Sequence, residues 1–123
     1  MGVGLRRLEC YRVNPSSPLP NLLRLIGSPR DGALLRFSIG AEYLKAGKAG
    51  NAATHLREAV ARDANYSAAW KLLGRALAED GRPAEALEAY ERGIAVAEAR
   101  GDKQAAKEMT VFARRLRKES GKG

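Results

Sequence analysis

Aromatic side chains make up only 6% of this chain, with a single tryptophan, and there is one cysteine and one histidine. Each shortage excludes something. Cys10 alone cannot close an internal disulfide or build a multi-thiolate metal site, so it reads as a free thiol of a reducing compartment. His55 lies far from Cys10 in sequence, which leaves no local nucleophile–base pair. No metal-ligand set or phosphate-cradling glycine loop occurs, so no catalytic residue, cofactor or metal is expected. Glu85, Glu88 and Glu91 recur every three residues and read as a solvated acidic edge. No run approaches the ~20 apolar residues that span a bilayer. Arg6 and Arg7 lead no apolar stretch of the kind a secretory signal carries, so a cytoplasmic location is expected.

Alanine, the strongest helix former, is abundant, and with few aromatics the core must come from Leu, Ala, Val and Ile. The fold class expected is all-α. Residues 1–18, punctuated by Gly2, Gly4, Pro15 and Pro18, read as irregular and disordered. Residues 19–30 hold a short apolar helical cluster (Leu19, Leu22, Leu23, Leu25, Ile26) that could cap the domain. From Asp31, a candidate N-cap, helical periodicity is nearly unbroken. The helices expected run to about Ala46, then about Asn51–Arg62, Ser67–Asp80, Pro83–Arg100 and Asp102–Glu119, about five in all, with a flexible tail over 120–123. Gly47, Gly50, Gly81 and Gly101 mark the turns between them.

A shift of 34 residues aligns the chain with itself. Gly40 falls on Gly74, Gly47 on Gly81, Ala52 on Ala86, Ile39 on Leu73, Tyr43 on Leu77 and Leu56 on Tyr90. Small residues meet small ones, and large apolar residues meet large ones. A mid-helix glycine costs about 1 kcal/mol, which a closely packed neighbouring helix explains.

The residues Trp70-Lys71-Leu72-Leu73-Gly74-Arg75-Ala76-Leu77, continued by Gly81, Ala86, Tyr90 and Gly93, resemble the tetratricopeptide repeat pattern. In residues 33–66 Gly40, Tyr43, Gly47, Ala52 and Ala59 fit that pattern, whereas Arg36 stands for its tryptophan and Leu56 for its later aromatic. The closing proline is replaced by Ala64 and Glu98, in keeping with a fourth helix that runs past the usual stop. The resemblance implies a helix-turn-helix repeat solenoid within a domain spanning 31–119: one repeat over 33–66, another over 67–100, and a capping helix over 102–119. Lys107 and Glu108 depart from a third repeat, while Ala105, Met109, Phe112, Ala113 and Leu116 form one apolar stripe.

The same resemblance implies a non-catalytic adaptor or scaffold that binds a protein or peptide in a concave groove. Its groove positions fall on Leu34, Phe37, Ala41 and Leu44 in the first repeat, and on Ala68, Lys71, Arg75 and Ala78 in the second. Phe37 would seat an apolar anchor, and Lys71 with Arg75 would meet an acidic group. Leu34, Phe37 and Leu44 would form an exposed patch, covered by residues 19–26 or by a weak homodimer; a monomer is expected otherwise.

The formal net charge is +8, concentrated at the two ends: residues 1–32 carry +3 and residues 101–123 carry +4. The basic patch Arg114, Arg115, Arg117 and Lys118 raises an alternative, an accessory protein that binds nucleic acid through its last helix. No exposed aromatic platform accompanies that patch. His55 is expected on an exposed surface.

Overall fold

Leucine, alanine and isoleucine at three- and four-residue spacing form helices throughout the computed structural model, which describes residues 17–122, with side chains through Glu119. The irregular segment expected over 1–18 lies outside the described residues except for its last two positions. Among the described residues there are six α-helices and no strands. They are α1 (Leu19–Leu23), α2 (Ala33–Lys45), α3 (Ala49–Arg62), α4 (Ser67–Glu79), α5 (Pro83–Ala99) and α6 (Lys103–Lys122). Each packs on the next, α2 on α3, α4 on α5 and α5 on α6, and the inner helices also meet: α2 touches α4, and α4 touches α6.

The pairs are held by close approach. A Cβ added at Gly40 would lie 2.5 Å from Cγ of Leu56, and one at Gly74 would lie 2.6 Å from Cε1 of Tyr90. The glycines are therefore the slots into which the large side chains of the facing helix fit. Gly47 and Gly81 turn the chain with φ of 77° and 75°, a conformation only glycine adopts freely. Both sit in the same helix-ending motif. Lys48 N–H reaches Tyr43 C=O at 2.9 Å, and Arg82 N–H reaches Leu77 C=O at 2.9 Å.

Several boundaries differ from expectation. α3 begins at Ala49, so Gly50 lies inside the helix and not in the turn. α6 runs to Lys122, past the end expected at about Glu119. Asp31 does not cap α2, whose N-cap is Gly32. Its carboxylate instead accepts from Gly27 N–H at 2.9 Å and from the Arg36 guanidinium at 2.9 and 3.1 Å. Asp102 does cap α6, accepting from Ala105 N–H at 3.1 Å.

The N-terminal segment covers α2, but not over Leu34. Leu19, Leu35 and Ile39 form a small buried cluster, with Leu22, Leu23, Leu25 and Tyr43 against it. Leu35 is the counterpart of Ala69 one repeat later, and both are buried. α1 thus does for α2 what α3 does for α4, while Leu34, on the other side, stays 69% exposed.

The last helix keeps the solenoid's packing in a shifted register. α5 has 17 residues where α3 has 14. Those three extra residues change the offset between inner helices from 34 to 37. Under the longer offset, buried Ala69 matches buried Ala106, and Ala76 matches Ala113. At this offset Glu108 takes the place of Lys71, while Lys107 takes that of Trp70 and stays foreign to a third repeat.

Candidate functional site

Three inner helices, α2, α4 and α6, line one side of the solenoid. Between them lies a cleft of about 370 Å³ bordered by Phe37, Ser67, Ala68, Lys71, Leu72, Asp102, Gln104, Ala105 and Glu108. With the register corrected, Phe37, Lys71 and Glu108 are one position repeated on three helices, and Ala68 and Ala105 are another. The periodicity of the solenoid therefore builds the cleft.

Phe37 is half-buried, its ring 4.9 Å from that of Tyr66 and tilted by 31°. Lys71 Nζ donates to Glu108 Oε1 at 2.5 Å, and Gln104 Nε2 donates to Glu108 Oε2 at 3.2 Å. The Lys71 ammonium first, and the Gln104 amide second, hold the Glu108 carboxyl below its ordinary range. Both partners of the ion pair remain about 40% exposed, so it sits in water and can exchange.

Of the groove residues expected, the cleft brings together Phe37, Ala68 and Lys71. Arg75 is exposed nearby and engaged along its own helix by Glu79 at 2.9 Å. Ala41 is half-buried. Leu44 is not a groove residue at all: it is buried in the core cluster with Ala52, Ala53 and Leu56, because the end of α2 closes onto α3. Leu34 is exposed, outside the cleft lining. Glu108, Gln104 and Asp102 were missed. The signal for them was the absent proline at Glu98, which lengthens α5 and brings Glu108 level with Lys71.

Among the described residues the basic patch separates into engaged and unengaged parts. Arg117 is bound to Glu91 of α5 at 2.8 Å, whereas Arg114, Arg115 and Lys118 are exposed.

His55 is not on the open surface. Its ring is half-buried and stacked on Tyr43, with centroids 5.6 Å apart, and Nδ1 lies 3.2 Å from Nη1 of Arg36. Guanidinium only donates, so Nδ1 accepts and the imidazole proton resides on Nε2. Burial, and next the Arg36 charge, push the imidazole below its ordinary value.

This arrangement of stacked helix pairs, closed at each end of the described residues by a single helix, defines a helical-repeat scaffold of the kind that presents a surface to other proteins. A sequence description of the tetratricopeptide repeat matches residues 43–108. The chain is 50% identical over 98 residues to the TPR repeat-containing protein PA0015 of Pseudomonas aeruginosa, covering 80% of this chain and 93% of that protein. Among solved structures it is similar to protein BPP2914 from Bordetella parapertussis (40% identity, TM-score 0.73, 85% of this chain and 90% of that one). It is also similar to the Sgt2 TPR domain from Aspergillus fumigatus (25% identity, TM-score 0.74, 99% and 77%). The chain belongs to the tetratricopeptide repeat family, whose members serve as protein-interaction modules and not, in general, as enzymes. No helix among the described residues is long and apolar enough to cross a membrane.

Proposed function

We propose that the chain is a cytoplasmic adaptor that binds a peptide segment of a partner protein across the face made by α2, α4 and α6. The cleft between those helices carries this reading. It has apolar sides from Phe37, Ala68, Leu72 and Ala105, and one exchangeable ion pair on its rim. An apolar side chain of the partner sits beside Phe37. An acidic group of the partner displaces Glu108 from Lys71, with Arg75 as a second contact once it leaves Glu79. Displacement also frees Glu108 to accept from a donor of the partner, so polarity is conserved on binding. The uptake of an apolar anchor, with the pair exchanging around it, requires no covalent chemistry.

Affinity capture from nuclease-treated lysate of the native host tests it, comparing the wild type with Phe37→Glu and with Lys71→Glu/Arg75→Glu. Phe37 and Lys71 are only half-buried and Arg75 is exposed, so the variants should fold, as circular dichroism will verify. The expected result is one protein retained by the wild type and lost by both folded variants. Retention of the same protein by all three would remove the concave face from consideration. Capture that depends on nucleic acid would favour the basic last helix instead, although nothing in the comparisons supports that alternative.

A further inference from the structure

The far end of the solenoid carries a second surface. In α4, the face formed by Trp70, Leu73, Gly74 and Leu77 is covered by α5. At the offset of 37, the same positions in α6 are Lys107, Thr110, Val111 and Arg114. No helix among the described residues covers them. With Glu98, Gly101, Lys103 and Ala106 they line an open cleft of about 590 Å³ along the outer side of α6. Val111 is 48% exposed there.

A face that only ends a solenoid has no need of a valine in its centre, and is served best by polar residues throughout. Here Val111, Ala106 and the Thr110 methyl form an apolar strip flanked by Lys103, Lys107 and Arg114. Among the described residues those three cations have no ion-pair partner, and Glu98 is the one acidic side chain on the cleft's rim. An apolar strip between unpaired cations is the complement of an amphipathic helix with acidic flanks.

The charges also sort the occupants. Two copies of this chain pairing α6 against α6 would set Lys107 against Arg114 across the two-fold axis, like charge against like. Residues 1–16 carry Arg6, Arg7 and Arg12 against a single Glu9, so the chain's own beginning is repelled as well. Nucleic acid would meet the cations, but this cleft lining offers no aromatic ring for a base and spends its centre on aliphatic groups. We infer that the outer face of α6 docks an acidic amphipathic helix of another protein, which packs on α6 as α5 packs on α4. Val111 occupies the position of Gly74, where the neighbouring helix presents Tyr90. The docked helix therefore carries a small residue opposite Val111.

The chain supplies its own probe. A capped, fluorescein-labelled peptide of residues 83–99 with Tyr90→Ala keeps Glu85, Glu88, Glu91 and Glu98 against Arg92, and was built to cover such a face. Its twin has lysine in place of the four glutamates. Fluorescence anisotropy with the full chain should show binding of the acidic peptide only, at least tenfold weaker for Val111→Glu and for Lys107→Glu/Arg114→Glu, and unchanged for Lys71→Glu/Arg75→Glu. All of these altered side chains are exposed except Lys71, which is half-exposed, and matched circular dichroism melts will show that each variant is folded. The inference is overturned if the acidic peptide fails to bind, if the lysine twin binds equally, or if the α6 variants leave binding unchanged. Two further results would replace it. An RNA oligonucleotide that displaces the peptide would make the face a phosphate-binding surface. A wild-type dimer in sedimentation, lost in Val111→Glu, would make its occupant a second copy.

Discussion

The two repeats hold themselves together by different chemistry at the same place. In the second, Trp70 is 92% buried between helices, and its indole N–H donates to Ala64 C=O at 2.8 Å, with the Arg92 guanidinium 5.9 Å above the ring. In the first, Arg36 stands at the equivalent position. It fills less apolar space and instead gathers polar groups: the Asp31 carboxylate on one side and His55 on the other. The backbone closure is shared. Arg62 reaches Asp31 C=O at 2.8 Å, and Arg100 reaches the equivalent Asn65 C=O at 2.6 Å. The second repeat is thus secured by apolar volume, and the first by a charged network tied to the N-terminal cap. The difference teaches why one repeat matches its family so clearly and the other loosely.

The largest effect expected tests this directly. Trp70→Ala removes a large buried ring at the junction of α4 and α5, and should cost about 3 kcal/mol, the lower end for such truncations. For a domain of this size, that lowers the melting temperature by more than about 10 °C. Arg36→Ala should cost less, because Asp31 keeps Gly27 N–H and the Arg62 guanidinium as partners, and high salt should change that cost little, because both side chains of the pair are largely shielded from water. Equal losses in the two variants, measured by thermal melting at low and high salt, would mean that the two repeats are held alike.

A smaller effect sharpens the comparison inside each helix pair. Gly→Ala gains about 1 kcal/mol of helix propensity but inserts a methyl where overpacking costs about 1–3 kcal/mol. At Gly74 the methyl meets three atoms of the planar Tyr90 ring at 2.6–2.7 Å, so the ring must shift as one body. At Gly40 it meets Leu56 Cγ at 2.5 Å and the two Leu56 methyls at 2.8 and 3.1 Å, a smaller group than a ring. Gly74→Ala should therefore destabilise by about 1–2 kcal/mol, and Gly40→Ala by less. In the background of Tyr90→Leu, the cost at Gly74 should fall towards that at Gly40; a cost that stays put would clear the ring of responsibility.

The second repeat was legible because its markers act locally. Trp70, Gly74, Gly81 and Tyr90 lie at fixed spacings on two adjacent helices, and each spacing has a steric meaning that periodicity alone conveys. The inward stripe of α6 was legible for the same reason. What escaped depends on how distant pieces meet. Three extra residues in α5 move Glu108 level with Lys71, turning an expected free cation into half of an ion pair. Leu44 looked like a groove residue on the helix wheel, yet the approach of α3 buries it. Asp31 and His55 were assigned by habit, as a cap and a surface residue. Their real partner, Arg36, was visible only as a misfit to the repeat pattern, and a misfit does not announce what it pairs with.

That network supports the last and smallest prediction. His55 is neutral in the folded chain because burial, and then Arg36, oppose its protonation; Asp31 and Glu58 favour protonation but less strongly. The folded imidazole thus binds its proton less tightly than the unfolded one, whose value is near 6.5. As pH falls, the unfolded chain takes up the proton first, so the stabilisation is complete above about 6.5 and is lost as pH drops below it. The carboxyls with lowered values, Asp31, Glu85 and Glu108, keep their stabilisation until the pH approaches 4. The interval from pH 7 to pH 5 therefore reports on His55, the only histidine. Over it the melting temperature of the wild type should fall, and that of His55→Gln, which can still accept from Arg36 but does not titrate, should fall less. A wild type that becomes more stable on acidification would reverse the balance of the network. Asp31 and Glu58 would then outweigh burial and Arg36, and the first repeat would be held by an imidazolium drawn between carboxylates.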